Sequence, residues 1–315
     1  MKNKLLIGLL ILFSLLSLGI GAKPIAIMDL IQGGETEILV FLISRIPRLF
    51  SIILTGSALS ISGLIMQQIT RNKFVSPTTA ATMDSAKMGI LFAMVFMPRA
   101  NTLMKMGMAF GFALLGTFLF MAILKRVQFK NVIMIPLIGI MLGNLIDSVT
   151  TFIAYRLDLI QNINTWLQGS FSMVTKGRYE IIFIIIPLAG VAFIYANKFT
   201  IAGMGEDFSK NLGLNHKRII NMGLLIVALI SSAVMVTVGN IPFIGLIIPN
   251  IVSLMKGDHL RNSLGTTALL GSVFLLGCDI LGRILIYPYE ISISLTAGVI
   301  GSLIFLYLIF KGVNK

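Results

Sequence analysis

Ten continuous apolar runs fix what this 315-residue chain can become. They lie at roughly 5–22, 48–69, 80–97, 102–124, 132–155, 179–196, 220–239, 241–255, 264–286 and 293–310. A helix needs ~20 apolar residues to cross the hydrocarbon core of a bilayer. Most of the runs reach that length, while 241–255 is too short to cross as a straight helix. Lipid offers no hydrogen bonds, so only helices and closed barrels satisfy their own backbone there. Barrel strands alternate apolar and polar residues, and these runs do not alternate. The sequence therefore predicts an all-α, polytopic membrane protein of about ten transmembrane helices. Composition agrees. Only 12% of residues are charged against 57% hydrophobic, where a soluble domain carries roughly 25% charged. Such a chain cannot cover an ordinary water-facing surface.

Charge placement sets the orientation. The net charge is +13, from 25 Lys and Arg against 12 Asp and Glu. Basic residues of membrane proteins collect in short cytoplasmic loops. No basic stripe with interleaved aromatics offers itself to nucleic acid, so no nucleic-acid partner is expected. With the N-terminus inside, fifteen Lys and Arg fall in cytoplasmic segments and eight in outer ones, which predicts both termini in the cytoplasm. The first run follows Lys2 and Lys4 and ends at Gly21 and Ala22, an order that a signal peptide shares. Eighteen apolar residues with nine further runs behind them favour an uncleaved first helix. The polar stretches at about 23–47, 156–178 and 197–219 are too short to fold alone. Residues 1–315 are thus expected as a single transmembrane domain, with loop 23–47 and its Asp29, Glu35 and Glu37 on the outer face of the membrane.

Catalytic signatures are missing. The dipeptide Gly-Lys never occurs, so there is no phosphate-cradling P-loop. His216, His259 and the single Cys278 show no metal-ligand spacing, and no Gly-x-Ser-x-Gly elbow is present. No catalytic residue, metal or cofactor is expected. A transporter or channel component is the default, not an enzyme.

Charges inside apolar runs are costly unless paired or wet, and so mark candidate sites. They are Asp84 and Lys87 (i, i+3), Asp279 and Arg283 (i, i+4), and Asp147, alone in its run. Lys87 and Arg283 can also be read as snorkelling to an interface. Arg45-Ile46-Pro47-Arg48 sits at the mouth of the second run, with Pro47 suited to a first helical turn. Its arginines are either lipid anchors or open guanidinium forks for carboxylates of an external partner. In the long cytoplasmic stretch, Gly205 can cap, Glu206 and Asp207 suit a helix N-terminus, and Gly213 can terminate. The short helix so predicted carries Phe208 and Leu212 (i, i+4) on one side. It is too short to stand alone, and docks either on the protein's own helix ends or on a cytoplasmic partner. Gly239 to Asn250 is an apolar piece broken by Gly and Pro, and Gly63 through Gln67 to Pro77 is similarly marked. Corresponding breaks predict an inverted repeat and a pathway. Gln67, Asp147, Gly245, Pro249 and Asn250 are its candidate residues.

With these residues in place, the chain resembles the permeases of iron-siderophore and vitamin B12 ABC importers, the FecCD type. The resemblance rests on Arg45-Ile46-Pro47-Arg48, Gly56-Ser57-Ala58 to Gly63, Met66-Gln67, Arg71-Asn72, Trp166-Leu167-Gln168-Gly169, Gly205-Glu206 to Leu212-Gly213, Phe243 to Pro249, Gly257-Asp258, and Asp279 to Arg283, in order over about 270 residues. Lys73 stands where the family usually has Pro, Asn250 where it has His, and Ser253 where it has Arg. Ile291-Ser292 replaces a Leu-Pro after Glu290. These departures, with Arg71 to Pro77, Lys176 to Glu180 and Tyr287 to Ile293, resemble the branch of the anguibactin, enterochelin and petrobactin permeases, which carries catecholate-type ferric siderophores.

The resemblance implies a ten-helix subunit of a permease dimer in the bacterial cytoplasmic (inner) membrane, moving an intact ferric siderophore. The second permease is expected as a related but different chain, with a homodimer as the alternative. Two cytoplasmic ATPase subunits would supply the energy, and an extracytoplasmic siderophore-binding protein would deliver the cargo. By residue match, Arg45, Arg48 and Arg283 would receive acidic residues of that binding protein. Gly205, Glu206, Phe208, Leu212 and Gly213 would belong to the ATPase-coupling helix within 197–219. The alternative from the residues alone is a secondary transporter or channel acting without an ATPase.

Overall fold

The computed structural model describes residues 2–21, 35–126, 134–177 and 179–313. Helices run in chain order as α1 (Lys2–Gly19), α2 (Glu35–Val40), α3 (Ile46–Thr70), α4 (Thr82–Phe96), α5 (Thr102–Arg126), α6 (Met134–Arg156), α7 (Ile160–Leu167), α8 (Ile185–Met204), α9 (Glu206–Asn211), α10 (His216–Thr237), α11 (Ile244–Lys256), α12 (Leu260–Ile284) and α13 (Ile293–Val313). Each of the ten apolar runs falls on a helix. Among the described residues, seven helical stretches are long and apolar enough to cross a membrane: Ile38–Thr70, Thr102–Arg126, Met134–Arg156, Glu180–Met204, His216–Thr237, Leu260–Ile284 and Ile293–Phe310. The helices of α1, α4 and α11 are shorter.

The second run begins earlier than the sequence suggested. Of the expected loop 23–47, residues 22–34 with Asp29 lie outside the described residues, as does Arg178. From Glu35 the chain is already helical, and a five-residue π turn, Phe41–Arg45, joins α2 to α3. Pro47 explains how one helix passes through this point. It has no N–H for the carbonyl four residues back. That carbonyl, of Ile43, instead accepts the Lys176 N–H at 3.0 Å. The loop after α7 is thereby tied to the start of α3.

α3 is the hub. It packs against α12, α11, α10 and α8, and Ile52, Ile65 and Met66 are wholly buried along it. Small residues let the backbones approach, as interfaces between membrane helices require. A Cβ on Gly63 would collide with the backbone of Gly245 on α11, and one on Gly56 would meet the Gly271 carbonyl of α12. At 13 residues, α11 spans about 20 Å. Its apolar face is spent inside the protein: Ile244, Ile247, Ile248 and Val252 are buried. The extended stretch before it is also satisfied by protein. Val238 O accepts from Ser170 N at 3.0 Å, Asn240 O from the Ser294 hydroxyl at 2.6 Å, and Asn240 bridges Gln168. Irregular backbone among apolar helices survives under that condition. Phe243 caps α11 with φ +67.

Candidate functional site

The three arginines singled out by sequence meet at one end of the bundle, around the C-terminus of α1. The last turn of a helix leaves its carbonyls without N–H partners, and α1 has no basic residue there to serve them. Other segments do so. Arg283 of α12 donates to the carbonyls of Ser17 at 3.0 Å and Ile20 at 2.6 Å, and to the Ser17 hydroxyl at 2.6 Å. Arg45 donates to the carbonyls of Leu18 and Gly19. These cations sit where the helix dipole favours them. Arg283 also pairs with Asp279. Arg48 binds the same carboxylate at 2.8 Å and reaches Glu290 at 2.8 Å with its other nitrogen. Side-chain exposure is 5% for Arg283, 3% for Asp279 and 14% for Arg48. The expected picture of open forks therefore differs from what is found: Arg48 and Arg283 are engaged within the chain, and Arg283 does not snorkel. Sequence showed the Asp279/Arg283 pair. It could not show Asp279 shared with Arg48, 231 residues away, nor the α1 carbonyls as partners.

The predicted short helix lies at the opposite end. α8 stops at Gly205, whose φ of +132 and ψ of +165 suit glycine alone, and α9 starts at once. The Ser209 side chain is buried and clamps the turn, donating to Gly205 O at 2.6 Å and meeting His216 Nδ1 at 3.2 Å. The exit is a Schellman arrangement: Gly213, at φ +72, donates to Lys210 O, and Leu214 to Ser209 O, both at 2.9 Å. Glu206 and Lys210 pair at 2.9 Å. With Ser209 turned inward, Phe208 and Leu212 remain 47% and 54% exposed. The helix thus rests on the protein's own ends while presenting an apolar pair outward.

Four of the five pathway candidates come together where α3 crosses α11. Buried Gln67 donates to Leu246 O at 3.2 Å. Asn250 donates to Leu246 O and to Lys73 O, both at 2.8 Å. Gly245 and Pro249 are buried in the same contact. Three residues singled out by the sequence, Lys73, Asn250 and Ser253, meet here too. The Lys73 ammonium donates to the Ser253 hydroxyl at 2.9 Å and pairs with Asp258 at 3.1 Å, and Ser253 donates to Asp258. Burial works against an ionised Asp258, but the hydrogen bonds from Ser253 and Lys73 prevail and hold its carboxyl below its ordinary value. Lys73 thus brings a cation to Ser253 and Asp258 from the α3 side.

Asp147 stands apart from that group, and it is not alone. It pairs with the Lys87 ammonium at 2.5 Å, joining α6 to α4, and Asp84 packs against Gly143 of the same α6 face. Lys87 is 8% exposed and Asp147 42%. Asn144 and Ser148, on either side of Asp147 along α6, are exposed as well.

Apolar helices long enough to cross a bilayer, with polar clusters at both ends and one charged cluster between, define a multi-pass membrane permease. Residues 9–311 match the FecCD transport family, and the chain belongs to that family. It is 56% identical over 311 residues to the petrobactin import system permease protein YclN of Bacillus subtilis strain 168, covering 99% of this chain and 98% of the relative. It is 40% identical over 296 residues to the ferric-anguibactin transport system permease protein FatD of Vibrio anguillarum, covering 94% of each. The motif resemblance to the siderophore-permease branch stands. The fold is also that of a chain in a metal-chelate type ABC transporter solved in an inward-facing conformation, with a TM-score of 0.83 at 23% identity over 98% of this chain and 99% of that one.

Proposed function

We propose that this chain is the permease subunit of an ABC importer for a ferric siderophore of the catecholate type. In this reading it crosses the bacterial inner membrane ten times, with both termini in the cytoplasm and its halves related as an inverted repeat. It works beside a second permease, a related but different chain or a second copy. Two ATPase subunits bind at the α9 end, and a siderophore-binding protein docks at the arginine end. The observation that carries the reading is α9 itself: a six-residue helix, locked by Ser209 and the Gly213 exit, that offers Phe208 and Leu212 to a cytoplasmic partner.

The docking role of Arg45, Arg48 and Arg283 takes a particular form. Arg283 and Arg45 hold α1, and Arg48 meets the incoming protein by exchanging Glu290, 24% exposed, for a partner carboxylate. Gln67, Gly245, Pro249 and Asn250 form a packed joint beside the pathway. Asp147, with exposed Asn144 and Ser148, lines the pathway or the face toward the second permease, because a polar stripe is costly against lipid. A secondary transporter is the second reading, favoured by the Asp84–Lys87–Asp147 cluster alone. The test is Leu212→Asp in the assembled transporter. A buried unpaired charge at the ATPase contact costs several kcal/mol. Membrane-inserted variant should retain the cargo-loaded binding protein and lose import-coupled ATP hydrolysis. Unchanged import by the variant would sink the coupling assignment, and full import without any ATPase would favour the secondary transporter.

A further inference from the structure

A cavity of about 410 Å³ opens at the α9 end, where the C-termini of α3 and α5 meet the N-termini of α6 and α10. That volume lies in the ~300–1,000 Å³ range of small-molecule sites. Its wall has two characters. Ile69, Met121 and Leu124 are apolar, while Arg71, Lys125 and His216 are basic. Among the described residues, neither Arg71 nor Lys125 has an ion-pair partner. Both acids of neighbouring α9 act on Lys210: Glu206 pairs with it, and Asp207 lies in its field. The cavity therefore offers two cations that form no ion pair, with Glu206 in electrostatic reach of Lys125, above an apolar floor at the helix ends.

We infer that this cavity is a binding site for an anionic glycerophospholipid, with the phosphodiester on Arg71, Lys125 and His216 and an acyl chain along Ile69, Met121 and Leu124. Basic pockets between membrane helices recognise acidic headgroups in this way. A soluble phosphate would use the cations but leave the apolar floor empty. The site also touches α9. A Cβ on Gly205 would lie 2.9 Å from the Arg71 guanidinium, so that side chain rests on the hinge before α9. His216 is bonded to Ser209 inside α9. Two of the three basic groups thus link headgroup occupancy to the position of α9. That second consequence rests on the coupling role proposed above; the binding site itself does not.

The test uses the full chain, without ATPase or cargo, in phosphatidylcholine nanodiscs containing a trace of photoactivatable phosphatidylglycerol. The probe should label the α5 or α10 end. Unlabelled phosphatidylglycerol should displace it, and equal phosphatidylcholine or millimolar inorganic phosphate should not. Arg71→Gln with Lys125→Gln should weaken capture about 30-fold, the effect of two membrane-surface cations. Arg71→Lys with Lys125→Arg should retain it, which separates lost charge from lost folding, and Lys217→Gln outside the cavity should not matter. Equal capture by the Gln double variant, or displacement by phosphatidylcholine or phosphate, overturns the proposal. So does loss of label when an ATPase subunit is added at unchanged lipid, which would assign the cavity to that protein. Failure here leaves the importer reading intact, and failure of Leu212→Asp to uncouple leaves the lipid site intact.

Discussion

Replacing Asp279 with Asn tests the arginine end directly. The carboxylate lies between two guanidinium groups, Arg48 at 2.8 Å and Arg283 on its own helix, and its side chain is 3% exposed. Asn keeps the volume and removes the charge. Arg283 then remains 5% exposed with carbonyl partners but no anion. Breaking a buried ion pair from one side costs about 3–5 kcal/mol, because the surviving charge stays desolvated. Arg48 keeps Glu290, so the loss falls mainly on Arg283. The control is Glu290→Gln, which breaks a rim pair worth ~0–1 kcal/mol. Both variants, purified in mild detergent, are titrated with a denaturing detergent, and the apparent unfolding free energies compared. Asp279→Asn should fall several-fold further than Glu290→Gln. Removing both partners, Asp279→Leu with Arg283→Met, should recover part of the loss but not all, since the α1 carbonyls lose their donors. Equal cost for the two single variants would refute the idea that Asp279 neutralises a buried pair of arginines.

Three further outcomes can be measured. Gly63→Ala should destabilise by at least the ~1–3 kcal/mol of an overpacked core, because the neighbour in its way is Gly245 backbone rather than a movable side chain; an unchanged melting temperature would remove the α3–α11 contact from the argument. The Asp258 carboxyl is held below its ordinary value, so its pairing adds stability above about pH 4 and loses it as pH falls through the lower folded value; both partners are more than half exposed, so Lys73→Gln should cost under ~1 kcal/mol at neutral pH, with the difference from wild type vanishing in acid. Arg45→Glu with Arg48→Glu should weaken association with the siderophore-binding protein at low salt and be partly rescued by charge reversal on that partner; unaltered binding would leave Arg45 with the α1 cap, and Arg48 with Asp279 and Glu290, as their whole task.

Sequence alone located the helices well where pattern is strong. The run at 102–124 falls within α5, that at 132–155 lies on α6 from residue 134 onward, and that at 264–286 lies on α12 as far as Ile284, because twenty apolar residues in a row leave the backbone one solution in lipid. The start of the second helix was misjudged, since Pro47 reads locally as a first-turn residue. Its lost hydrogen bond is made good by Lys176, about 130 residues on, and no local pattern encodes that. The same limit applies to the charges. Arg45 and Arg283 have main-chain carbonyls of α1 as partners, and a carbonyl carries no signature in sequence, while Arg48 meets Asp279 and Glu290 from more than 230 residues away. Asp147 looked solitary because Lys87 lies 60 residues earlier. The α9 turn was legible because Gly205 and Gly213 act within ten residues, while the Ser209 clamp carries no sequence signature. Lys73, Asn250 and Ser253 each stood out separately in the sequence, and nothing there showed that they touch.

The anchoring of α1 has a consequence for how the chain is made. Synthesis delivers α1 well before α12, and domains take shape from the N-terminus as they emerge. The donor for Ser17 and Ile20, however, is Arg283, which is made more than 260 residues later. Throughout that interval the far end of α1 has carbonyls without this partner, and Arg283, once made, has Asp279 of its own helix but completes its hydrogen bonds only against α1. Two segments far apart in the chain therefore close on each other, so that docking of α1 reports that α12 has been made and inserted.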